Sequence, residues 1–309
     1  MFQGMHYIYE VYKEMNFSRA ARNLFISQPS LSAAVKKAEA QIGFPVFDRS
    51  SNPIQLTDLG REYIRSIETI MEVENSFQNY VNDMRELKSG SISIGGTNLF
   101  ASYVLPPVLS RFTELYPQIH VHLTEATTSE LTKRLFSGSL DLLIDNQSMD
   151  PAIYGKSFFC EEHLLLTVPT QFASNQRLKN YALTAADIRE NRHLNSHIPP
   201  VPLKDFQDEP FLLLRAGNDT RKRADRICHN SHFLPQIKLE LEQQITAYNL
   251  SRYGMGISFS SDTLIRHVPE DERLVYYKLN HQDALREVNF YYKRKRYMPK
   301  TVTTFLEMI

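Results

Sequence analysis

A run of mostly polar residues between positions 28 and 37 has the types and spacing needed to bind nucleic acid. Glutamine can make two hydrogen bonds to adenine, serine can bond to a base or a phosphate, and lysine binds phosphates. The residues concerned are Gln28, Pro29, Ser30, Ser32, Lys36 and Lys37. Leu31, Val35 and Ala38 recur among them at the spacing of one helix face, so we expect the polar side chains to share the outward face.

Two helices joined by a tight turn are predicted to position this face. The first helix is indicated by apolar residues at helical spacing, namely Phe17, Ala20, Ala21 and Leu24. Asn16 or Ser18 can cap its start, and Phe25-Ile26 interrupts the apolar stripe to form the turn. Ser27 is a suitable N-cap for the second helix, and Pro29 falls in its first turn, where no N–H is needed. The alternative is an ordinary pair of helices whose polar side meets only solvent.

A small hairpin, or wing, is predicted after this helix. Two short apolar runs between residues 44 and 57 flank a turn at Ser50–Pro53. Arg49 lies where it can reach a phosphate or the adjacent minor groove. The alternative for Arg49 is a surface ion pair with Asp48 or Glu39.

One long helix is predicted from Thr57 to about Lys88, because this stretch has no proline and no glycine after Gly60. Residues at alternating spacings of four and three form a heptad seam, in which Glu74 occupies one position. The apolar members are Tyr63, Ile67, Ile70, Phe77, Val81 and Met84. This pattern favours pairing with the same helix of a second copy, and the alternative is a helix that packs on its own domain.

The remainder of the chain, from residue 90, alternates short apolar strands with amphipathic helices. Such alternation predicts an α/β sheet with parallel strands. We expect two lobes: lobe I from about 90–161 and 268–309, and lobe II from about 162–267. The chain would then cross between the lobes near 161 and near 268, and the proline-containing segment 176–208 would be an irregular excursion of lobe II.

Residues 1–60 resemble the winged helix-turn-helix of LysR-type transcriptional regulators. The matching positions are Ala20-Ala21, Leu24, Ser27-Gln28-Pro29, Leu31-Ser32, Glu39, Gly43, Phe47, Arg49, Leu56-Thr57 and Gly60. In that family the positions of Gln28, Pro29, Ser32 and Arg49 lie against DNA. Two positions depart from the family: Ala33 replaces a usual arginine, so affinity is expected to depend more on Lys36 and Lys37, and Ala38 replaces a usual leucine, so Phe44 or Phe47 is expected to fill the space.

The rest of the chain resembles the effector-binding domain of the same family, which shares its fold with periplasmic solute-binding proteins. The matching pieces are Leu105-Pro106-Pro107, Phe112, Tyr116-Pro117, Gly138 with Leu140-Asp141-Leu142, Glu209-Pro210-Phe211, Arg221 with Asp225, and Gly254-Met255-Gly256-Ile257. The resemblance implies a multi-domain α and α/β protein: a winged helix-turn-helix at 1–57, a dimerisation helix at 58–89 and a two-lobed domain at 90–309. It also implies a homodimer through residues 58–89, a homotetramer, and contact with double-stranded DNA, a small-molecule effector and RNA polymerase.

A ligand of this sheet is expected beyond the carboxyl ends of its strands. Thr97 and Asn98 follow the first strand, and Thr128 begins a helix after a later one, where free N–H groups attract anions. Arg215 or Arg221 from lobe II could supply a counter-charge, so we expect a small carboxylate or other anion. In the family the position of Thr128 contacts the effector. The alternative is that these threonines and the asparagine only cap helices.

Composition is consistent with this interpretation and argues against several others. The chain of 309 residues is long enough for two or three domains, and its net charge of zero means that DNA binding must rest on geometry. We recognise no phosphate loop, nucleophile elbow or metal-binding triad of the kind found in enzymes, so we do not expect an enzyme. We also expect no metal or other cofactor. The two cysteines, Cys160 and Cys228, are expected to pack in the protein interior and not to act as a redox switch.

A secretory signal or membrane span is not recognised, which favours a cytoplasmic regulator over a secreted solute-binding protein. The basic run Lys293–Arg296 is expected to be a solvated strand end.

Overall fold

The computed structural model describes residues 2–51, 53–83 and 90–309. The chain divides into two compact units: one comprises the residues up to 86 together with Phe136–Ser139, and the other comprises the remainder. The first unit contains α1 (Met5–Glu14), α2 (Phe17–Asn23), α3 (Gln28–Ile42), β1 (Phe47–Asp48), β2 (Gln55–Leu56) and α4 (Asp58–Asp83).

The core of the first unit is formed by its helices and the wing. Val35 from α3, Phe47 from the wing and Ile67 from α4 are all buried there. Ile8 and Val11 from α1 also join this core, although the sequence analysis did not predict α1. Its tyrosines at positions 7, 9 and 12 surround those two residues and obscure their helical spacing.

The turn between α2 and α3 and the caps around it follow the predicted pattern. Asn16 caps α2, since its Oδ1 accepts the N–H of Arg19 at 3.0 Å. Ser27 caps α3 by accepting the N–H of Ser30 at 3.2 Å. Phe25 lies in the left-handed region, with φ of 55°, and turns the chain sharply enough to set the two helices at an angle.

The wing closes against the start of α4. β1 and β2 pair antiparallel, Phe47 opposite Leu56, as predicted. Thr57 caps α4 by accepting the N–H of Gly60 at 2.9 Å. A Cβ at Gly60 would lie 2.1 Å from the carbonyl oxygen of Val46, so only glycine allows the helix to approach the wing this closely.

The predicted heptad seam of α4 divides into two parts. Tyr63 and Ile67 are buried in the core of their own unit. In contrast, Phe77 in the later part of the seam is 68% exposed, and Val73, one turn before it but not a predicted seam residue, is 64% exposed. The first part of the seam therefore packs on its own domain, which was the alternative to pairing with a second copy. Only the later part presents an apolar surface. Met84 and the predicted end of the helix near Lys88 lie outside the described residues.

The second unit contains a mixed sheet. Lobe I is built from β3 (Gly90–Gly96), α5 (Leu105–Leu115), β4 (Ile119–Glu125), α6 (Thr128–Phe136), β5 (Leu142–Asp145), the first part of β6 (Tyr154–Pro169), β12 (Leu285–Lys293) and α12 (Lys300–Met308). β3 pairs in parallel with β4 and β5, as predicted. β12 runs antiparallel to β5 and β6, so the expectation of parallel strands holds for only part of the sheet.

Lobe II completes the sheet order β4-β3-β5-β12-β6-β10-β8-β9. Its elements are the end of β6, α7 (Ser174–Arg177), β7 (Ala182–Leu183), α8 (Ala185–Arg189), β8 (Pro210–Leu214), α9 (Asp219–Asn230), β9 (Gln236–Leu241), α10 (Gln244–Arg252), β10 (Ile257–Ser261), α11 (Asp262–His267) and β11 (Leu274–Lys278). The predicted excursion 176–208 contains only short helices, including 3-10 turns, and a two-residue strand.

The strand β6 carries the first crossing between the lobes. Residues 154–163 pair with β12 in lobe I, and residues 164–169 pair with β10 or β11 in lobe II. The predicted first crossing near 161 is therefore close to its place in the structure. The second crossing lies after residue 278 and not near 268, because β11 still pairs with β6 in lobe II.

Among the described residues, the helices include none with the length and apolar composition of a membrane span.

Candidate functional site

The outward face of α3 has the predicted arrangement. Leu31, Val35 and Ala38 are buried against the rest of the unit. Gln28, Pro29, Ser30, Lys36 and Lys37 are exposed, and Ser32 is half-buried. The hydroxyls of Ser27 and Ser30 lie 2.7 Å apart, so Ser30 belongs in part to the N-terminal cap. The outward face of α3 is therefore exposed and can enter a groove of DNA. Its contacts with DNA remain a prediction.

Arg49 makes the ion pair that the sequence left open as an alternative. Its Nη2 lies 2.9 Å from Oε2 of Glu39, and its guanidinium lies 5.1 Å from the centre of the Phe17 ring. Glu39 also accepts the backbone N–H of Val46 at 2.9 Å and of Phe47 at 3.2 Å through Oε1. One carboxylate on α3 thus fixes both the start of the wing and its arginine.

The space beside Ala38 is filled by one of the two expected aromatic residues. Phe47 is 2% exposed and contacts Phe17 edge-to-face, with ring centres 5.9 Å apart. Phe44 is 62% exposed and does not fill the space.

A cavity of about 570 Å³ lies between the two lobes. It opens beyond the carboxyl ends of β3, β4 and β5 of lobe I and of β8 and β9 of lobe II, as expected for this class of sheet. Four of the five predicted effector residues line it, namely Thr97, Asn98, Thr128 and Arg215.

Four helix N-termini converge on this cavity. The helix that begins at Asn98 continues through a π-helical turn, Phe100–Val104, into α5. α6 begins at Thr128, α9 at Asp219 and α10 at Gln244, and all four residues line the cavity. A helix N-terminus has backbone N–H groups without intrahelical partners and the positive end of the helix dipole, so four of them together favour a negatively charged occupant.

Arg221 does not line this cavity, unlike the other four residues predicted to bind the effector. Its Nη1 donates to Glu240 and, at 2.8 Å, to the carbonyl oxygen of Leu214, and its Nε donates to Asp225 at 2.9 Å. These bonds tie α9 to β8 and β9 within lobe II. Arg215 does line the cavity, 65% exposed, with its Nη1 2.5 Å from Glu242.

Arg286 is a cavity residue that the sequence analysis missed. It is only 5% exposed, and its Nε donates to the fully buried Glu162 at 2.6 Å. Its Nη1 crosses from lobe I to the start of α9, where it donates to Asp219 at 3.1 Å and to Thr220 at 3.0 Å. Its Nη2 makes no hydrogen bond with any residue in the described part of the chain. An arginine at alternate spacing with the buried Val288 and Phe290 was the signal available in the sequence.

Asp145 is the second cavity residue that was missed. It ends β5 and is 2% exposed. Thr128 donates its hydroxyl to Oδ2 at 2.8 Å, and the N–H of Gln147 donates to Oδ1 at 2.7 Å. Burial outweighs these bonds and raises the pKa of Asp145 to about 6. Its position at the carboxyl end of a buried strand was the available signal.

The cysteines have the environment expected of packing residues. Cys228 is buried, and Cys160 is half-buried. Burial raises the pKa of both thiols to about 12, which disfavours the thiolate that a redox switch requires. In the basic run, Arg296 is not solvated as expected, since its side chain is 8% exposed with Nη1 3.0 Å from Asp141.

Comparison with known proteins identifies both units. Residues 2–61 match the family described as "Bacterial regulatory helix-turn-helix protein, lysR family", and residues 85–309 match "LysR substrate binding domain". An uncharacterized HTH-type transcriptional regulator of Bacillus subtilis, YcgK, is 28% identical over 98% of this chain and 92% of its own. A full-length OxyR point variant from Pseudomonas aeruginosa has the same fold, with a TM-score of 0.69 at 18% identity over 100% of this chain and 94% of that one. Full-length CbnR in complex with its target DNA gives a TM-score of 0.65 at 18% identity over 100% of this chain and 98% of that one.

Proposed function

The chain belongs to the LysR family of transcriptional regulators, and we propose that a small anionic effector, bound in the cavity between its lobes, controls its binding to DNA. The observation that carries the proposal is the convergence of four helix N-termini on one cavity, in a chain that also contains a winged helix-turn-helix.

DNA contact is assigned to the outward face of α3 and to the wing. Gln28 and Ser32 are placed to address bases, Pro29 and Ser30 to pack at the helix start, and Lys36 with Lys37 to bind phosphates. Arg49 is held by Glu39 but keeps 34% of its side chain exposed, so it can contact a phosphate while remaining paired. A recognition helix of this kind lies in the major groove and contacts the base edges with residues near its N-terminus.

The effector is proposed to be a small anion with polar substituents. Thr97, Asn98 and Thr128 lie at helix starts. Nη2 of the nearly buried Arg286 has no hydrogen-bond partner among the described residues and so adds a donor. The lining also holds carboxyl groups, from Asp145, Asp219 and Glu242, beside the cations Lys133, Arg215 and Arg286. This balance favours a ligand that carries hydrogen-bond donors next to its negative charge over a purely hydrophobic acid.

The exposed row on the later part of α4 is proposed as the surface of a homodimer. Val73, Phe77 and Tyr80 are each more than half exposed, and such a row on one long helix is typical of a helix that pairs. A two-fold dimer would place two α3 helices on related half-sites. By analogy with the family, the dimers form a tetramer and contact RNA polymerase. We propose no catalytic role and no cofactor for binding DNA or the effector, and we place the protein in the cytoplasm with its DNA target.

A gel-shift of the full-length protein on its own upstream intergenic DNA, over a salt series with competitor DNA, tests the DNA-binding part. A discrete complex that survives competitor supports a specific regulator. A complex that competitor removes equally well at every salt concentration would contradict specific recognition by α3.

Effector control is tested separately by the position of the complex on that DNA. Footprints are compared with and without a panel of small carboxylates and phosphate esters. A change in the protected region that one anion produces, and that Arg286→Met abolishes, supports the assigned cavity. A change that survives Arg286→Met would place the effector elsewhere.

A further inference from the structure

Two histidines and an aspartate converge where β6 passes from lobe I to lobe II. His163 is the β6 residue at the crossing, and it pairs with Leu285 of β12. Asp262 begins α11 directly after β10, and His193 lies in the 3-10 turn that follows α8. The cluster is separate from the cavity, whose lining includes none of the three.

The three side chains are close enough to share one ion. Nε2 of His193 lies 3.1 Å from Oδ2 of Asp262, and Nδ1 of His163 lies 3.6 Å from the same oxygen. One ligand atom from each residue lies within 4.8 Å of the other two. Tetrahedral zinc with bonds of about 2.0–2.2 Å requires ligand atoms roughly 3.3 Å apart. The separations of 3.1 and 3.6 Å from Asp262 are close to that value, and the two histidine nitrogens lie within 4.8 Å of each other.

The burial of the group resembles a built site more than a surface cluster. The side chains of His193 and Asp262 are 1% and 5% exposed, whereas that of His163 is 27% exposed and offers a route from solvent. Nδ1 of His193 is buried without a hydrogen-bond partner among the residues that the structure describes.

The carboxylate of Asp262 is held in one orientation by the backbone. Its Oδ1 accepts the backbone N–H of His163 at 2.8 Å and that of Thr263 at 2.9 Å, which fixes the orientation of the carboxylate. Such second contacts are the kind that orient metal ligands.

Arg266 is the group that competes with a cation here. Its Nη2 lies 3.4 Å from Oδ2 of Asp262 but donates at 2.7 Å to Oδ1 of Asn191. The shorter bond to Asn191 can hold the guanidinium without Asp262. The missing acceptor at His193 Nδ1 weakens such a site, because outer-shell partners contribute roughly 10–100-fold in affinity.

We propose that His163, His193 and Asp262 form a binding site for a divalent metal ion of the zinc type, with water in the fourth position. One ion there joins the crossing strand β6 to α11 and to the turn after α8. The mixed nitrogen and oxygen ligand set favours zinc, cobalt or nickel over magnesium or calcium. This site does not depend on the proposed effector or on DNA binding.

Equilibrium dialysis of the full-length protein against Zn²⁺ tests the proposal, with Co²⁺ absorption as a second readout of tetrahedral geometry. We expect one ion per chain at this site and a loss of affinity of about tenfold or more in His163→Ala, whose partly exposed ring can be removed with little damage to the core. Asp262→Asn gives a second variant that retains the shape of the side chain.

The matched control is His120→Ala with His122→Ala, because these exposed residues alternate along β4 and can chelate an ion at the surface. Retention of the bound ion in this control, together with its loss in His163→Ala, supports the site. If the wild type binds no Zn²⁺ above background, or if both cluster variants bind as tightly as the wild type, the three residues form only a hydrogen-bonded group and the proposal is wrong.

Discussion

Glu39 on the recognition helix binds Arg49 of the wing across 2.9 Å while its other oxygen accepts the N–H of Val46 at 2.9 Å. The wing therefore depends on the same helix that is proposed to read the bases. Removal of the Glu39 side chain should therefore alter the position of the wing and of Arg49 at once.

Substitution at Glu39 should separate the two functions of its carboxylate. Glu39→Ala leaves two partly buried N–H groups without an acceptor and should lower the free energy of unfolding by about 1–3 kcal/mol. Glu39→Gln keeps the acceptor and loses only the ion pair, which is partly exposed and so contributes little. Urea unfolding of both variants measures the difference, and equal losses would mean that the ion pair and not the backbone bonds stabilises the wing.

Gln28 and Lys36 should differ in their effect on sequence recognition. Gln28→Ala should weaken specific binding by about 1–3 kcal/mol and leave non-specific binding nearly unchanged, because base contacts carry the sequence information. Lys36→Ala should weaken both and reduce the salt slope of binding by about one. Gel-shifts on operator and scrambled DNA over a salt series distinguish them; equal losses on both DNAs for Gln28→Ala would remove that residue from base recognition.

Thr128 and Arg221 should separate effector response from stability. Thr128→Ala removes a cavity hydroxyl bonded to Asp145 and should abolish the transcriptional response in a reporter, while DNA binding survives. Arg221→Met should instead lower the thermal stability of the protein, because Arg221 joins elements of lobe II. A full response from Thr128→Ala would remove that residue from the effector site.

Asp145 should make the free energy of unfolding decrease as the pH rises. Because the folded-state pKa is raised from 3.8 to about 6, the folded protein binds the proton more tightly, and stability present below pH 3.8 is lost as the pH rises through 6. A shift of this size corresponds to about 3 kcal/mol for a fully buried carboxyl. Asp145→Asn should remove this loss, so urea unfolding over the range from about pH 4.5 to about pH 7.5 should give a flatter profile for the variant. Parallel profiles would contradict the assignment.

Phe77 should report on dimer formation. Phe77→Glu places a charge in the exposed row of α4 and should shift the protein toward monomer, because the acid would be buried in a helix pair. Arg65→Glu, which adds an acid to the same helix outside this row, is the control. Sedimentation velocity measures both, and an unchanged dimer in Phe77→Glu would place the interface elsewhere.

Local signals predicted much of the fold. The bounds of α2 and α3 follow caps and helical spacing that lie within a few residues of each other, such as Ser27 with Pro29. The order of the strands was not predicted: in β9, Lys238 and Glu240 alternate with apolar residues, which indicates a strand but not its place at the edge of the sheet.

Residues that line the cavity were predicted where the local sequence indicates them, and were missed where their position depends on distant partners. Thr97, Asn98 and Thr128 are indicated by their positions at strand ends and helix starts. Arg286 is held at the cavity by a hydrogen bond to Glu162, 124 positions away in the sequence. Arg221 is held away from it by a hydrogen bond to Glu240, 19 positions away. Such pairings are set by tertiary packing and have no signature in sequence spacing.

The path of β6 has a consequence for synthesis on the ribosome. Lobe II lies wholly between the two crossings, so its chain is complete before β12 and α12 emerge. Lobe I must wait for those last elements, which place Val288, Val302 and Phe305 in its core. Although it begins first, lobe I is therefore the later of the two to fold, and a premature stop codon near the end of the gene would damage the lobe encoded nearest the start.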